Sequence, residues 1–342
     1  MKFTIGYQLP DEYDSTLEIC RDYRDSISGV YFSYGSEPSG RLPLYAEKDA
    51  DADKIKEYQL YELREISRLG IPLTLLLNAA CYGEGGASKN LKSHVVNLVG
   101  FLREELGICA VTTASPFIAE SLKEQFGDTL YLCASVNMRI DNISTMRQLS
   151  AYFDGYYLRK EVNRDLAKIR LLSSWCRDNG KGLHLLANSG CLGFCGFQSF
   201  HDNLVAHQKS LPGADDCPAR YPAPCHVYLA SLPENEALAT VMQSTFIRPE
   251  DVWRYGEWFS EMKLATRMHS SPRMVVAAYA RGRFVGNLTD LTEPSYSTLF
   301  KGTVLDNTLL EAEWFDRVLK CEKNCHNCNY CKETAERIKV KM

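Results

Sequence analysis

Residues 155–188 read GYYLRKEVNRDLAKIRLLSSWCRDNGKGLHLLAN. The run GYYLR has the aromatic and apolar content of a short strand, and GLHLLA at 182–187 repeats that character. Between them NRDLAKIRLLSSWCRDNG has the period of a helix, with Asn163 as its cap and Gly180 as its terminator. Strand, helix and strand in this order make one βαβ unit, which the right-handed crossover rule closes into parallel pairing.

The same alternation extends outward in both directions. KFTIGY (2–7), VYFSY (30–34), PLTLLL (72–77), CAVTT (109–113), LYLCASV (130–136) and STFIR (244–248) read as further strands. Helices are expected from ADKIKEYQLYELREISRLG (52–70), where Ile55, Tyr58, Leu63, Ile66 and Leu69 can share a face before Gly70, and from starts near Asn90, Pro116 and Asp141. Eight strands separated by helices are what an α/β (β/α)8 TIM-like barrel requires. A doubly wound open sheet gives a similar string, and the number eight favours the barrel.

This reading assigns residues 1–265 to the barrel, with a proline-rich, cysteine-bearing insertion at 210–231, and residues 266–342 to a cysteine-rich C-terminal extension carrying a four-cysteine motif at 321–331. The 342-residue chain has 45% hydrophobic residues and a net charge of -4, so it has material for a large core and no global basic footprint. Membrane association is not expected, and nucleic-acid binding has no strong signal. The start MKFTIGYQLPDEYD lacks the basic and apolar regions of a signal peptide, and a cytoplasmic location is expected. Thirteen cysteines in such a chain point to metal rather than to disulfides.

In a barrel the strand ends gather on one face. Here they carry Gln8, Ser33, Asn78, Thr113, Ser135, Asn137, Arg159, Glu161, Asn188 and Arg248. The seventh strand runs into NSGCLGFCGFQSFH, bearing Cys191 and Cys195 among glycines, and CPARYPAPC follows with Cys217 and Cys225. Four thiolates from two neighbouring loops suit a 4Fe-4S cluster, and zinc accepts the same set. Cys20, Cys81, Cys109, Cys133 and Cys176 read as small buried apolar residues, with Cys81 the nearest substitute ligand. Arg159 and Arg248 are candidates to clamp a carboxylate or phosphate, with Glu161 in acid–base work, although ion pairing at the rim accounts for the three equally well.

The chain has no G-x-S-x-G elbow and no H-E-x-x-H, and its histidines make no ligand spacing; His201 and His207 read as surface residues. Near the end, CEKNCHNCNYC (321–331) holds Cys321, Cys325, Cys328 and Cys331. Its first three match the C-x3-C-x2-C of radical S-adenosylmethionine enzymes, but at the wrong end of the chain and with a fourth cysteine that fills the open iron position. A second 4Fe-4S cluster is expected here, with zinc as the alternative. The preceding LLEAEWFDRVLK is expected to dock it through Leu310, Trp314, Phe315 and Leu319.

Over about residues 1–260 the chain resembles the peptidase U32 family. NSGCLGFCGFQS, CPARYPAPC and FIRPED stand where that family has its Ser-Gly-x-Cys motif, a later cysteine pair and a strand ending Lys-Ile-Glu-Gly-Arg. LRKEV at 158–162 stands where it has Leu-x-Arg-Glu, which puts Lys160 and Glu161 at the matching positions. The resemblance implies a barrel that holds a 4Fe-4S cluster and takes part in oxygen-independent hydroxylation of ring substrates, including RNA bases; other members are described as collagenase-like proteases. The expected substrate is a small molecule, a peptide or RNA, with a second U32-type or redox protein as a further partner. A U32-type peptidase and a non-catalytic metal-binding adaptor are the alternatives.

Overall fold

In the strand Leu73–Leu77 only Thr74 is not fully buried, the run of apolar residues that a strand covered on both faces needs. The strands flanking it are of the same kind, and together they form a parallel sheet rolled around the core. The computed structural model describes residues 1–11, 14–41, 51–207 and 223–341.

In chain order, β1 (Lys2–Gly6) and α1 (Thr16–Asp22) lead to β2 (Ile27–Phe32) and α2 (Ala52–Arg68), then β3 (Leu73–Leu77), α3 (Lys89–Leu106), β4 (Ala110–Thr113) and α4 (Pro116–Phe126). Next come β5 (Tyr131–Ala134), α5 (Ile143–Leu149), β6 (Gly155–Tyr157), α6 (Leu166–Asp178) and β7 (Gly182–His184). Among the described residues, α7 (Gln198–His207), α8 (Pro224–Ala230) and α9 (Glu234–Met242) precede β8 (Glu261–Lys263). The chain ends with α10 (Pro272–Arg281), β9 (Thr303–Leu305), α11 (Trp314–Leu319), α12 (Tyr330–Ile338) and β10 (Lys339–Lys341).

The eight strands pair in parallel in the order β7-β6-β5-β4-β3-β2-β1-β8. Closure between the ends of this row rests on a bridge between Leu186 and Lys263, where the Ala187 N–H donates to the Lys263 carbonyl and the Lys263 N–H to the Leu185 carbonyl. This is the expected (β/α)8 barrel, and no helix among the described residues is long and apolar enough to cross a membrane.

Three expectations are corrected. STFIR at 244–248 is not the eighth strand; that place is taken by Glu261–Lys263. The extended segment is held instead by the Ile247 N–H on the Ala187 carbonyl and by the Asn163 amide on the Thr245 carbonyl, so it fills the seam without joining the ladder. In α2 the inward face is Gln59, Glu62, Leu63 and Ile66, while Tyr58 is exposed. Its two buried polar residues have specific partners: Gln59 bonds the Gly35 N–H and the Ser33 carbonyl, and Glu62 accepts from the Tyr7 hydroxyl at 2.7 Å. The cap of α6 is Asp165, two residues beyond Asn163, and Gly180 ends the turn at φ +63°.

The C-terminal extension is fastened to the barrel by an aromatic and guanidinium stack. Trp314 and Phe315 are fully buried, and Trp314 stacks on Phe246 at 6.0 Å between ring centroids. The guanidiniums of Arg164 and Arg248 lie 5.0 and 4.9 Å from the Trp314 ring. Leu310 and Leu319 pack at the edge of this core, as the sequence predicts. Beyond the stack α12 packs against α9, and β10 pairs with β9 in a two-stranded antiparallel sheet.

Candidate active site

The strands end on one face, where the chain places charged and sulfur-bearing side chains around two joined hollows. The inner one, of about 70 Å³, is lined by Tyr31, Asn78, Lys263 and Arg267. The outer one, of about 250 Å³, is lined by Lys160, His201, Cys191, Cys195 and Cys225. Arg41, Asn137 and Glu293 line both.

Gly6, the last residue of β1, makes room for the inner hollow. A Cβ there would come within 2.7 Å of the Arg267 backbone nitrogen and 2.8 Å of the Tyr31 ring, so no larger residue fits. The Thr266 hydroxyl accepts the Gly6 N–H at 2.7 Å and fixes the segment that carries Arg267. Lys263 ends β8 with its ammonium 3.7 Å from the Tyr31 ring centroid and 5.0 Å from that of Tyr157. Burial pulls the Lys263 ammonium down to about 7 and the Arg267 guanidinium to about 10; Arg267 pushes Lys263 further down, and Arg41 does the same to both.

The cysteine loop after β7 is pinned from three sides. Asn188 bridges the Ala265 and Leu291 carbonyls and accepts the Ala265 N–H. Ser189 forms a bridge with Glu293, whose carboxylate meets Arg41 at 3.3 Å. Glu161 accepts the Phe194 N–H at 3.2 Å and is itself paired with Arg159 at 3.0 Å, and Arg159 continues to Asp141 at 3.0 Å. Cys225 reaches the same cavity from α8. Burial pushes its thiol up, the neighbouring Cys191 and Cys195 push the same way, and a contact with Tyr296 opposes them.

Three of the four thiols expected in the first group therefore border one cavity, and Cys217 lies outside the described residues. Cys81 is elsewhere, accepting the Gly83 N–H. Cys20, Cys133 and Cys176 are buried, whereas Cys109 is exposed. Arg159 and Glu161 pair with each other, and Arg248 is held by Asp251 at 2.7 Å beneath Trp314; none of the three lines the mouth cavity. His201, expected on the outer surface, lines the cavity from α7. The cations Lys263, Arg267 and Arg41 were not expected here, because charged residues in a sequence read as solvated surface.

The second group, Cys321, Cys325, Cys328 and Cys331, borders a separate pocket of about 270 Å³ beside Gln243. Burial and the other three thiols push Cys331 up to about 11, against the pull of Arg164. The two cysteine segments are neighbours: the Lys323 ammonium lies 5.5 Å from the Phe194 ring centroid, and a Cβ on Gly193 would be 3.0 Å from the Gln243 carbonyl.

Crowded thiols with one sulfur chemistry suit a soft metal centre, since thiolates that repel one another are neutralised together by metal. Both groups fit in donor type. Among the described residues no three His, Cys, Asp or Glu side chains stand in ligating arrangement.

No protein-family model matches the chain. It is similar to the uncharacterized protease MJ1657 of Methanocaldococcus jannaschii, 26% identical over 310 residues, which cover 89% of this chain and 86% of that protein. Among solved structures it is similar to the U32 peptidase Mk0906, with a TM-score of 0.52 and 14% identity over 77% of this chain and 92% of the other. It also matches the chitinase RmChi1 of Rhizomucor miehei, with a TM-score of 0.42 and 11% identity over 83% of this chain and 100% of that one. The chain thus shares its (β/α)8 barrel fold with a solved U32 peptidase structure.

Proposed function

We propose that the chain is a U32-type enzyme whose barrel mouth holds a 4Fe-4S cluster and performs oxygen-independent hydroxylation, or a related redox modification, of a small molecule, peptide or RNA base. The observation that carries this is the meeting of Cys191, Cys195 and Cys225 at one cavity on the face where barrel enzymes place their chemistry. Such a cluster, when bound, supplies one-electron transfer or a Lewis-acidic iron. Around it, the Arg159–Glu161 pair positions the Cys195 loop through the Phe194 N–H, and Glu293 holds Arg41 at the mouth. The second group, Cys321 to Cys331, is proposed to hold a second cluster, with zinc as its alternative occupant. Metal analysis of Cys191→Ser with Cys195→Ser tests the first assignment: iron and sulfide should fall together, and unchanged iron would overturn it.

A peptidase is the second reading, favoured by the name of the M. jannaschii relative. It predicts cleavage of an unstructured protein that survives removal of iron. The third reading, a metal-binding adaptor, predicts a copurifying partner whose binding is lost on deletion of residues 315–342.

A further inference from the structure

Two positive groups at the barrel mouth are buried without a partner. Lys160 is 3% exposed and its Nζ has no hydrogen bond; Arg267 is 6% exposed and its Nη1 has none. Lys263 faces aromatic rings. Among the described residues none of the three is in an ion pair. The carboxylates nearby are already engaged, Glu293 with Arg41 and Asp202 with Arg139. A buried cation without an ion-pair partner is unfavourable, and an anion seated beside it relieves that cost.

We propose that the joined hollows bind the anionic end of a small molecule, a carboxylate or phosphate group seated between Lys160, Lys263 and Arg267. The three come from different barrel segments: Lys160 follows β6, Lys263 ends β8 and Arg267 lies in the loop after it. All are on the strand-end face, and the Asn78 and Asn137 amides border the same space. The hollows, about 70 Å³ opening into about 250 Å³, have room for one anionic group and a small remainder. The outer part carries the three thiols, so the anionic end anchors a ligand whose other end faces them. This names the substrate chemistry of the site assigned above, but the cation set stands whether or not metal is bound there.

The test is calorimetric titration of the full-length protein, in a buffer without phosphate or carboxylate, with inorganic phosphate and separately with malonate. At least one should bind saturably at one per chain. Lys160→Met and Arg267→Met should each weaken that binding at least tenfold, with wild-type circular dichroism and an unchanged or raised Tm, since each removes an unpartnered buried charge. Arg267→Lys, which keeps the charge, should weaken it less than Arg267→Met and serves if a Met variant fails to fold. Phosphate binding without malonate binding identifies a phosphate ligand, and the converse a carboxylate. Absence of saturable binding of either, or equal affinity in the variants and wild type, overturns the proposal. Iron is measured on the same sample: an iron-free sample that still binds the anion contradicts the cluster alone.

Discussion

The Lys323 ammonium lies 5.5 Å from the ring centroid of Phe194, and both residues hold left-handed backbone, at φ +60° and +53°. Such a conformation costs a non-glycine residue on the order of 1 kcal/mol, and here it is adopted twice at one contact. Phe194 precedes Cys195 and Lys323 lies two residues beyond Cys321, so this contact joins the two cysteine segments. If each holds a cluster, the two are magnetically close. Dithionite-reduced protein should give an electron paramagnetic resonance spectrum broadened relative to that of Cys321→Ser with Cys325→Ser; superimposable line shapes from the remaining centre would refute the arrangement.

Glu161 acts on the cysteine loop through one hydrogen bond, from the Phe194 N–H. Glu161→Ala leaves that donor and Arg159 short of a partner and should cost about 1–3 kcal/mol. Glu161→Gln keeps an acceptor and should cost less. Amide exchange at Phe194 reports it directly: roughly tenfold faster in the Ala variant by the usual conversion of 1.4 kcal/mol, and no change would remove Glu161 from this role.

Trp314 carries the attachment of the extension, buried between Phe246 and two guanidiniums. Trp314→Ala should lose about 3–5 kcal/mol in urea unfolding. A loss below about 1 kcal/mol would mean that the extension is held elsewhere.

Much of the barrel was legible because strands covered on both faces announce themselves, as LTLLL at 73–77 does. The eighth was not: EMK at 261–263 is three residues long and ends in an inward-facing lysine, while STFIR, richer in β-branched and aromatic residues, draws the reading to itself. The cysteine loop was found through its glycines and spacing. The buried cations were missed for the same physical reason that makes them informative, since Lys and Arg are almost never buried unless paired. Only Lys160, directly after a strand in LRKEV, carried a positional signal.

Lys263 provides a pH test. The charges and titratable groups facing it include Arg267, Arg41, Cys133 on β5, Tyr31 on β2, Tyr157 on β6 and His184 on β7. Burial lowers its ammonium from the ordinary 10.5 to about 7, so between these values the unfolded chain binds more protons than the native one. Stability relative to Lys263→Met should therefore be lowest below about pH 7 and should climb as pH rises toward 10. Anion binding runs the other way, weakening as the ammonium loses its proton. A wild-type and variant stability difference that is flat across this range would show that Lys263 keeps an ordinary proton affinity.

The most direct test of the central claim is metal and sulfide analysis, with electron paramagnetic resonance, on protein purified without oxygen. An iron–sulfur barrel predicts brown protein with iron and acid-labile sulfide each near about four per chain for one cluster or about eight for two. Iron should fall when Cys191 and Cys195 are changed to serine. Colourless protein carrying zinc alone, or no metal, would contradict it.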